Sequence, residues 1–210
     1  MVISYLGKQC FKITQGDLTI VLNPPTKDSK FAISKFGADI VLSSTHTKDF
    51  NGGESFFYGE KEPFIIDGPG SYEVKGLLFE GVSMPAVLDG KTHFNTMYMF
   101  ELDGIRIVFL GALTATKLSS EATELLNSPD LLFIPIGGKD IINFKDAAKI
   151  SVALESRITI PMDYGNDQEK DALSNFLKET GQEKAEKVDK LTLKRKDVLE
   201  RQGAVIVISE

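Results

Sequence analysis

The chain has 210 residues, of which 42% are apolar and 26% charged, and its formal net charge is -6. That is the composition of a globular chain with a sizeable core, and the acidic balance argues against a broad nucleic-acid or anionic-membrane surface. A single cysteine, Cys10, excludes an intrachain disulfide and a Cys-rich zinc module, and with two histidines, His46 and His93, this chain alone cannot put three imidazoles on one metal.

The start of the chain, MVISYLGKQCFKI, lacks the basic and long apolar regions of a secretory signal, and no apolar run approaches the roughly 20 residues of a membrane span. A cytoplasmic protein is expected. Short strands are read at Val2–Leu6, Cys10–Thr14 and Leu18–Leu22, the last ended by Asn23-Pro24-Pro25 because prolines cannot donate to a ladder. Asp28–Phe36 reads as weakly helical, Asp39–Ser43 as a buried strand, and Ser44–Gly53 as a polar loop. Strands follow at Pro63–Ile66, Tyr72–Val74 and Leu77–Val82, and Asp103-Gly104 joins Thr96–Leu102 to Ile105–Leu110 as a hairpin. The pattern then changes to helix Ser119–Leu126, strand Leu131–Ile136, helix Phe144–Leu154, strand Arg157–Pro161 and helix Gln168–Glu179, with closing strands at Lys190–Leu193 and Ala204–Ser209. Charge-rich Gln182–Arg201 reads as an exposed helix end and an edge strand. Strand-rich first and strand–helix alternating later, with no linker or repeat, predicts one layered α/β (α+β) domain over residues 1–210.

Few residues in the sequence announce chemistry by themselves. Cys10 reads as a small buried thiol, although Lys8 on the same face of an extended strand would be near enough to activate it. Gly68-Pro69-Gly70 and Gly137-Gly138 match no nucleotide-binding motif. Ser43, Ser44 and Thr45 have no positioned His–Asp pair to make a serine triad.

Taken in order, several fragments resemble the small metallo-β-lactamase-fold hydrolases, and in particular their lactonase-like branch. Leu6-Gly7-Lys8-Gln9-Cys10-Phe11 resembles the opening "LGHSCF" segment, and Leu22-Asn23-Pro24 stands where the family has Asp-Pro. Gly68-Pro69-Gly70-Ser71-Tyr72-Glu73 resembles "GPGEYE", while Asn95-Thr96-Met97-Tyr98, Asp103-Gly104-Ile105-Arg106-Ile107 and Leu110-Gly111 resemble "NTIY…DGIRI…LG". Pro135-Ile136-Gly137-Gly138 and Ile160-Pro161-Met162-Asp163-Tyr164 resemble "PVGG" and "IPMHY". The resemblance covers most of the chain and implies a four-layer αββα sandwich of two mixed sheets.

The family's activity rests on one or two metal ions, zinc or manganese, held by His-x-His-x-Asp-His, a further His, a bridging Asp and a last His; the metal lowers the pKa of a bound water. On this chain the loop is Thr45-His46-Thr47-Lys48-Asp49-Phe50. Thr45, Thr47 and Phe50 replace histidines and Asp49 is retained. Ala112 replaces the bridging Asp, Asp163 the last His, and Lys8 the early-strand His. Asp49 and Asp163 are the remaining ligand candidates, Lys8 repels a divalent ion, and His46 sits one position out of register, facing away if the loop is extended. His93 matches no family ligand. The expectation is therefore a protein without a metal cofactor and without hydrolytic activity, binding a small molecule or protein partner, with homo-oligomers open. The alternative is a lactonase or phosphodiesterase-type hydrolase with a remodelled or metal-weak site. The candidate cleft is Lys8, Thr45, His46, Thr47, Asp49, Asn51 and Asp163.

Overall fold

The structure, a computed structural model, describes residues 1–31, 33–34, 36–57, 62–165 and 168–209. The first sheet contains β1 (Val2–Tyr5), β2 (Phe11–Gln15), β3 (Leu18–Leu22), β4 (Ile40–Leu42), β5 (Phe64–Ile66) and a later strand, β13 (Leu191–Thr192). Their order is β13-β1-β2-β3-β4-β5, antiparallel from β13 to β3 and parallel from β3 to β5. The second sheet contains β6 (Gly70–Val74), β7 (Leu77–Leu88), β8 (Lys91–Leu102), β9 (Ile105–Phe109), β10 (Leu131–Pro135), β11 (Ile158–Met162), β12 (Glu186–Val188) and β14 (Ala204–Ile208). Its order is β12-β14-β11-β10-β9-β8-β7-β6, so this sheet is also mixed.

The inner faces of the two sheets share one core, in which Ile3, Phe11, Ile13, Phe109, Phe133 and Ile160 are fully buried. The outer face of the second sheet is covered by α1 (Ser120–Leu126), α2 (Phe144–Ala153) and α3 (Ala172–Glu179), whose buried stripes meet Val108, Leu132 and Val205. Strands β10 and β11 are therefore covered on both faces, which is why β10 reads as an unbroken apolar run and β11 is interrupted only by Thr159. Ser119 and Asn143 cap α1 and α2, their side chains accepting from the first free backbone N–H groups. The outer face of the first sheet is covered by loops and a 3-10 turn, Gly53–Phe56, which packs Phe56 with Cys10, Val21 and Val41.

The two mixed sheets with few helices agree with the expected fold, but some elements differ. The hairpin of β7 and β8 has 12 residues in each arm, longer than the apolar runs show, because its distal part extends beyond the pairing with β6. Pro85 sits there, exposed on the unpaired edge where no ladder donor is needed. The described residues of Asp28–Phe36 form turns and coil rather than a helix; Ala32 and Lys35 lie outside the described residues. Helix α3 starts at Ala172, and Gln168 is used elsewhere. The charged C-terminal stretch contains the edge strand β12 and a short helix α4 (Arg195–Leu199). No described helix is long and apolar enough to cross a membrane.

Candidate functional site

The site lies where loops at the strand ends of both sheets converge. Between β1 and β2 the chain makes a tight turn, with Cys10 N donating to Gly7 O at 2.8 Å, and Gly7 and Lys8 adopt φ of 97° and 53°. This left-handed excursion pushes Lys8 and Gln9 out of the strand. Lys8 and Cys10 thus do not share a strand face as the extended reading assumed. Cys10 lies 2% exposed in the core below, and burial pushes its thiol pKa far up, so it is an inert core thiol.

Gln9 is fully buried and joins two elements. Its Nε2 donates to Asp163 Oδ2 at 2.7 Å, and its Oε1 accepts from Asn23 Nδ2 at 2.8 Å. Asn23 also fixes the loop after β4, accepting from Ser44 N at 2.7 Å and donating to Ser44 Oγ at 2.8 Å. Asp163 follows β11 with φ 55°; its N–H donates to Lys8 O at 2.6 Å, and Gln168 Nε2 donates to its Oδ1 at 2.9 Å. Gly137 makes this approach possible: a Cβ there would lie 2.3 Å from Asp163 O and 2.5 Å from Gln168 Cγ. Burial raises the Asp163 carboxyl above its ordinary range, opposed by the Lys8 charge and the two glutamine amides.

Lys8 Nζ lies 3.5 Å from Asp49 Oδ2, in a pair whose side chains are 14% and 19% exposed. The ammonium also sits over the Phe31 ring at 4.4 Å and the Phe50 ring at 5.4 Å. Asp49 Oδ1 accepts from Ser29 Oγ at 2.7 Å. Phe50 and Ala112 pack with Ala86, Leu88 and Ile141 into a small apolar cluster. Lys8, Thr47, Asp49, Asp163 and Gln168 line one pocket of about 70 Å³, room for one or two water molecules.

Beside it lies a larger cleft of about 590 Å³, lined by Thr45, His46, Asp67, Ser83, Phe94 and Thr96 among others. His93, to which the sequence reading gave no role, lines both cavities. Only the pairing of β7 with β8 places it there, so no local signal could have found it. His46 faces this cleft together with Thr45, whereas the extended reading turned it away from both Thr45 and Thr47; its Nε2 lies 3.2 Å from Asp67 Oδ2 and 2.9 Å from Asp67 O. The predicted residues are therefore split: Lys8, Thr47, Asp49 and Asp163 share the small pocket, Thr45 and His46 the large cleft. Asn51 lines neither; its backbone N–H donates to Thr47 O.

The chain belongs to the β-lactamase superfamily: the model of the β-lactamase superfamily domain matches residues 2–163. A UPF0173 protein of Pyrococcus furiosus is 39% identical over 74 residues, 35% of this chain and 33% of that protein. A UPF0173 metal-dependent hydrolase of Thermococcus onnurineus is 36% identical over 78 residues, 36% of this chain and 35% of that protein. These matches span about a third of the length of the curated relatives. Among solved structures, a Zn-dependent hydrolase of the metallo-β-lactamase superfamily from Thermotoga maritima superposes with a TM-score of 0.75 at 27% identity, over 99% of this chain and 97% of that one.

Two expectations change with these findings. The Thermococcus onnurineus relative is described as metal-dependent and the Thermotoga maritima structure as Zn-dependent, which overturns the expectation of a protein without a metal cofactor. They are also described as hydrolases, which favours the remodelled-hydrolase alternative over a non-hydrolytic role. The donor set of this chain is nevertheless thin. No group of three or more His, Cys, Asp or Glu side chains positioned to hold a metal ion occurs among the described residues. Thr45 Oγ1 and Thr47 Oγ1 are buried without a hydrogen-bond partner among the described residues, but neutral hydroxyls are poor zinc ligands. Asp49 and Asp163, with the Lys8 ammonium against them, do not complete a four-ligand zinc shell.

Proposed function

We propose that this chain is a remodelled hydrolase of the β-lactamase superfamily that cleaves an ester-type bond, a lactone in preference to a phosphodiester. The observation that carries this reading is the Lys8–Asp49 pair, 3.5 Å apart in a pocket that shares His93 with the large cleft. The substrate's body lies in the cleft and its scissile bond at the junction. Asp49 takes a proton from a water molecule, whose oxygen bonds to the acyl carbon, and the Lys8 ammonium faces the oxyanion that develops. The acyl–oxygen bond then breaks, and the leaving oxygen takes up the proton held by Asp49. Asp163, 3% exposed and held by two glutamine amides, positions the loops, whereas the Asp49 side chain is 19% exposed and open to water. Among the described residues no lysine or arginine lines the large cleft to receive a phosphate, which supports the lactone.

The metal dependence of the relatives enters the test. Purified full-length protein is assayed on lactones and phosphodiesters after chelation and again with added zinc or manganese. Turnover is expected and is lost in Lys8→Met and Asp49→Asn. Absence of turnover under every metal condition overturns the reading.

A further inference from the structure

We infer that the large cleft is a recognition site for a neutral ring carrying neighbouring hydroxyl groups, a sugar ring or the ribose of a nucleoside. This deepens the proposed function by naming the substrate class, and it rests on that reading only in taking the cleft as the seat of the substrate's body. At about 590 Å³ the cleft has the size of an ordinary small-molecule site.

Its polar groups are few and point to hydroxyls. Thr45 is 1% exposed, yet its Oγ1 lacks a partner among the described residues and the residue lines the cleft. A buried hydroxyl without a partner is costly, and a ligand hydroxyl satisfies it by donating to it or by accepting from it. Ser83 Oγ and Thr96 Oγ1 lie 2.8 Å apart as a hydroxyl pair in the cleft lining. His46 is oriented by Asp67 through Nε2, so Nδ1 is its remaining ring nitrogen for a ligand. Phe94 is 69% exposed, and its ring offers an apolar face for the CH face of a sugar. The carboxylate of Asp67, with no lysine or arginine in the lining among the described residues, disfavours an anionic ligand.

Binding is measured by calorimetry and by NMR shift mapping on the full chain, without turnover. The probes are adenosine, its 2′-deoxy analogue, adenosine monophosphate and methyl β-glucoside. Binding of adenosine or of the glucoside, mapped to Thr45 and Phe94, is expected, and the two arms distinguish the nucleoside from the glycoside source. The monophosphate should bind no tighter than adenosine, and if adenosine binds, its deoxy analogue should bind about tenfold weaker, the worth of one lost hydrogen bond. Thr45→Val keeps the shape while removing an unpartnered hydroxyl, and Phe94→Ala alters an exposed ring, so both should fold while weakening binding about tenfold or more. The inference is overturned if neither neutral probe binds, if the monophosphate binds tighter than adenosine, or if both variants bind as the parent does. A protein that binds these probes but hydrolyses no ester refutes the hydrolase reading alone.

Discussion

Gln9 Nε2 and Asp163 Oδ2 lie 2.7 Å apart although 154 positions separate them in the chain. Gln9 leaves the first sheet in the turn after β1 and Asp163 leaves the second sheet after β11, so this bond ties the two sheets at the mouth of the small pocket. Where the family resemblance places a metal between such loops, this chain places an amide bridge and the Lys8 ammonium.

Gln9→Leu removes that bridge at a fully buried position. It leaves Asp163 Oδ2 and one proton of Asn23 Nδ2 unsatisfied, and a buried group deprived of its partner costs about 1–3 kcal/mol. Urea denaturation should show a lower midpoint with an unchanged slope. A midpoint equal to that of the parent would show that the bridge holds nothing together.

Lys8→Met removes the cation beside Asp49 and Asp163. The pair is partly exposed, so the loss is expected between that of an exposed pair and that of a buried one, about 1–3 kcal/mol. At this chain length that corresponds to a fall in Tm of about 2–4 °C per kcal/mol. The same variant removes a repelling charge, so manganese should raise its Tm more than it raises that of the parent. A parent and variant with the same Tm and the same response to manganese would deny Lys8 the role of counter-charge.

Gly137→Ala places a Cβ against Asp163 O and the Gln168 side chain. Overpacking of this kind costs about 1–3 kcal/mol, and here it also pushes Gln168 off the carboxylate. A drop in thermal stability is expected, with a shift of the Gln168 side-chain amide signals in NMR spectra. Unshifted amide signals would mean that the close approach is not needed for the contact.

Asp163 gives stability a pH dependence of definite sign. Burial lifts its carboxyl above the ordinary 3.8, so the folded state holds this proton more tightly than the unfolded chain does. Its contribution is therefore most favourable at acid pH and declines as pH rises from the ordinary value through the raised one. Asp163→Asn lacks this decline, so its stability relative to the parent should improve as pH rises from about 4 through the raised value. Urea midpoints of both proteins across that window decide the matter; a difference that shrinks with rising pH contradicts the burial argument.

Cys10 should be silent towards thiol reagents in the folded protein, because its sulfur is buried and its pKa is pushed far up. Its modification should appear only as the chain unfolds in denaturant. Rapid labelling of the native protein would place the thiol at a surface and undo the core assignment.

Much of this molecule is set by short-range pattern. The unbroken apolar run Leu131–Ile136, the Asp103-Gly104 turn and the Ser119 cap fix a strand, a hairpin and a helix start, because each is decided by a few neighbouring residues. That Thr45, Thr47 and Phe50 offer no imidazole is likewise visible in one loop. What the sequence alone leaves open is convergence. That Thr45 and Thr47, two positions apart, line different cavities depends on the turn joining Thr47 N to Thr45 O. That His93 stands between those cavities depends on the register of β7 against β8. That Gln9, Asn23, Asp163 and Gln168 form one hydrogen-bonded bridge depends on both sheets packing together. Sequence determined which groups remain available for chemistry; the long-range packing of two sheets decided which of them meet, because burial and pairing between distant segments leave no local trace.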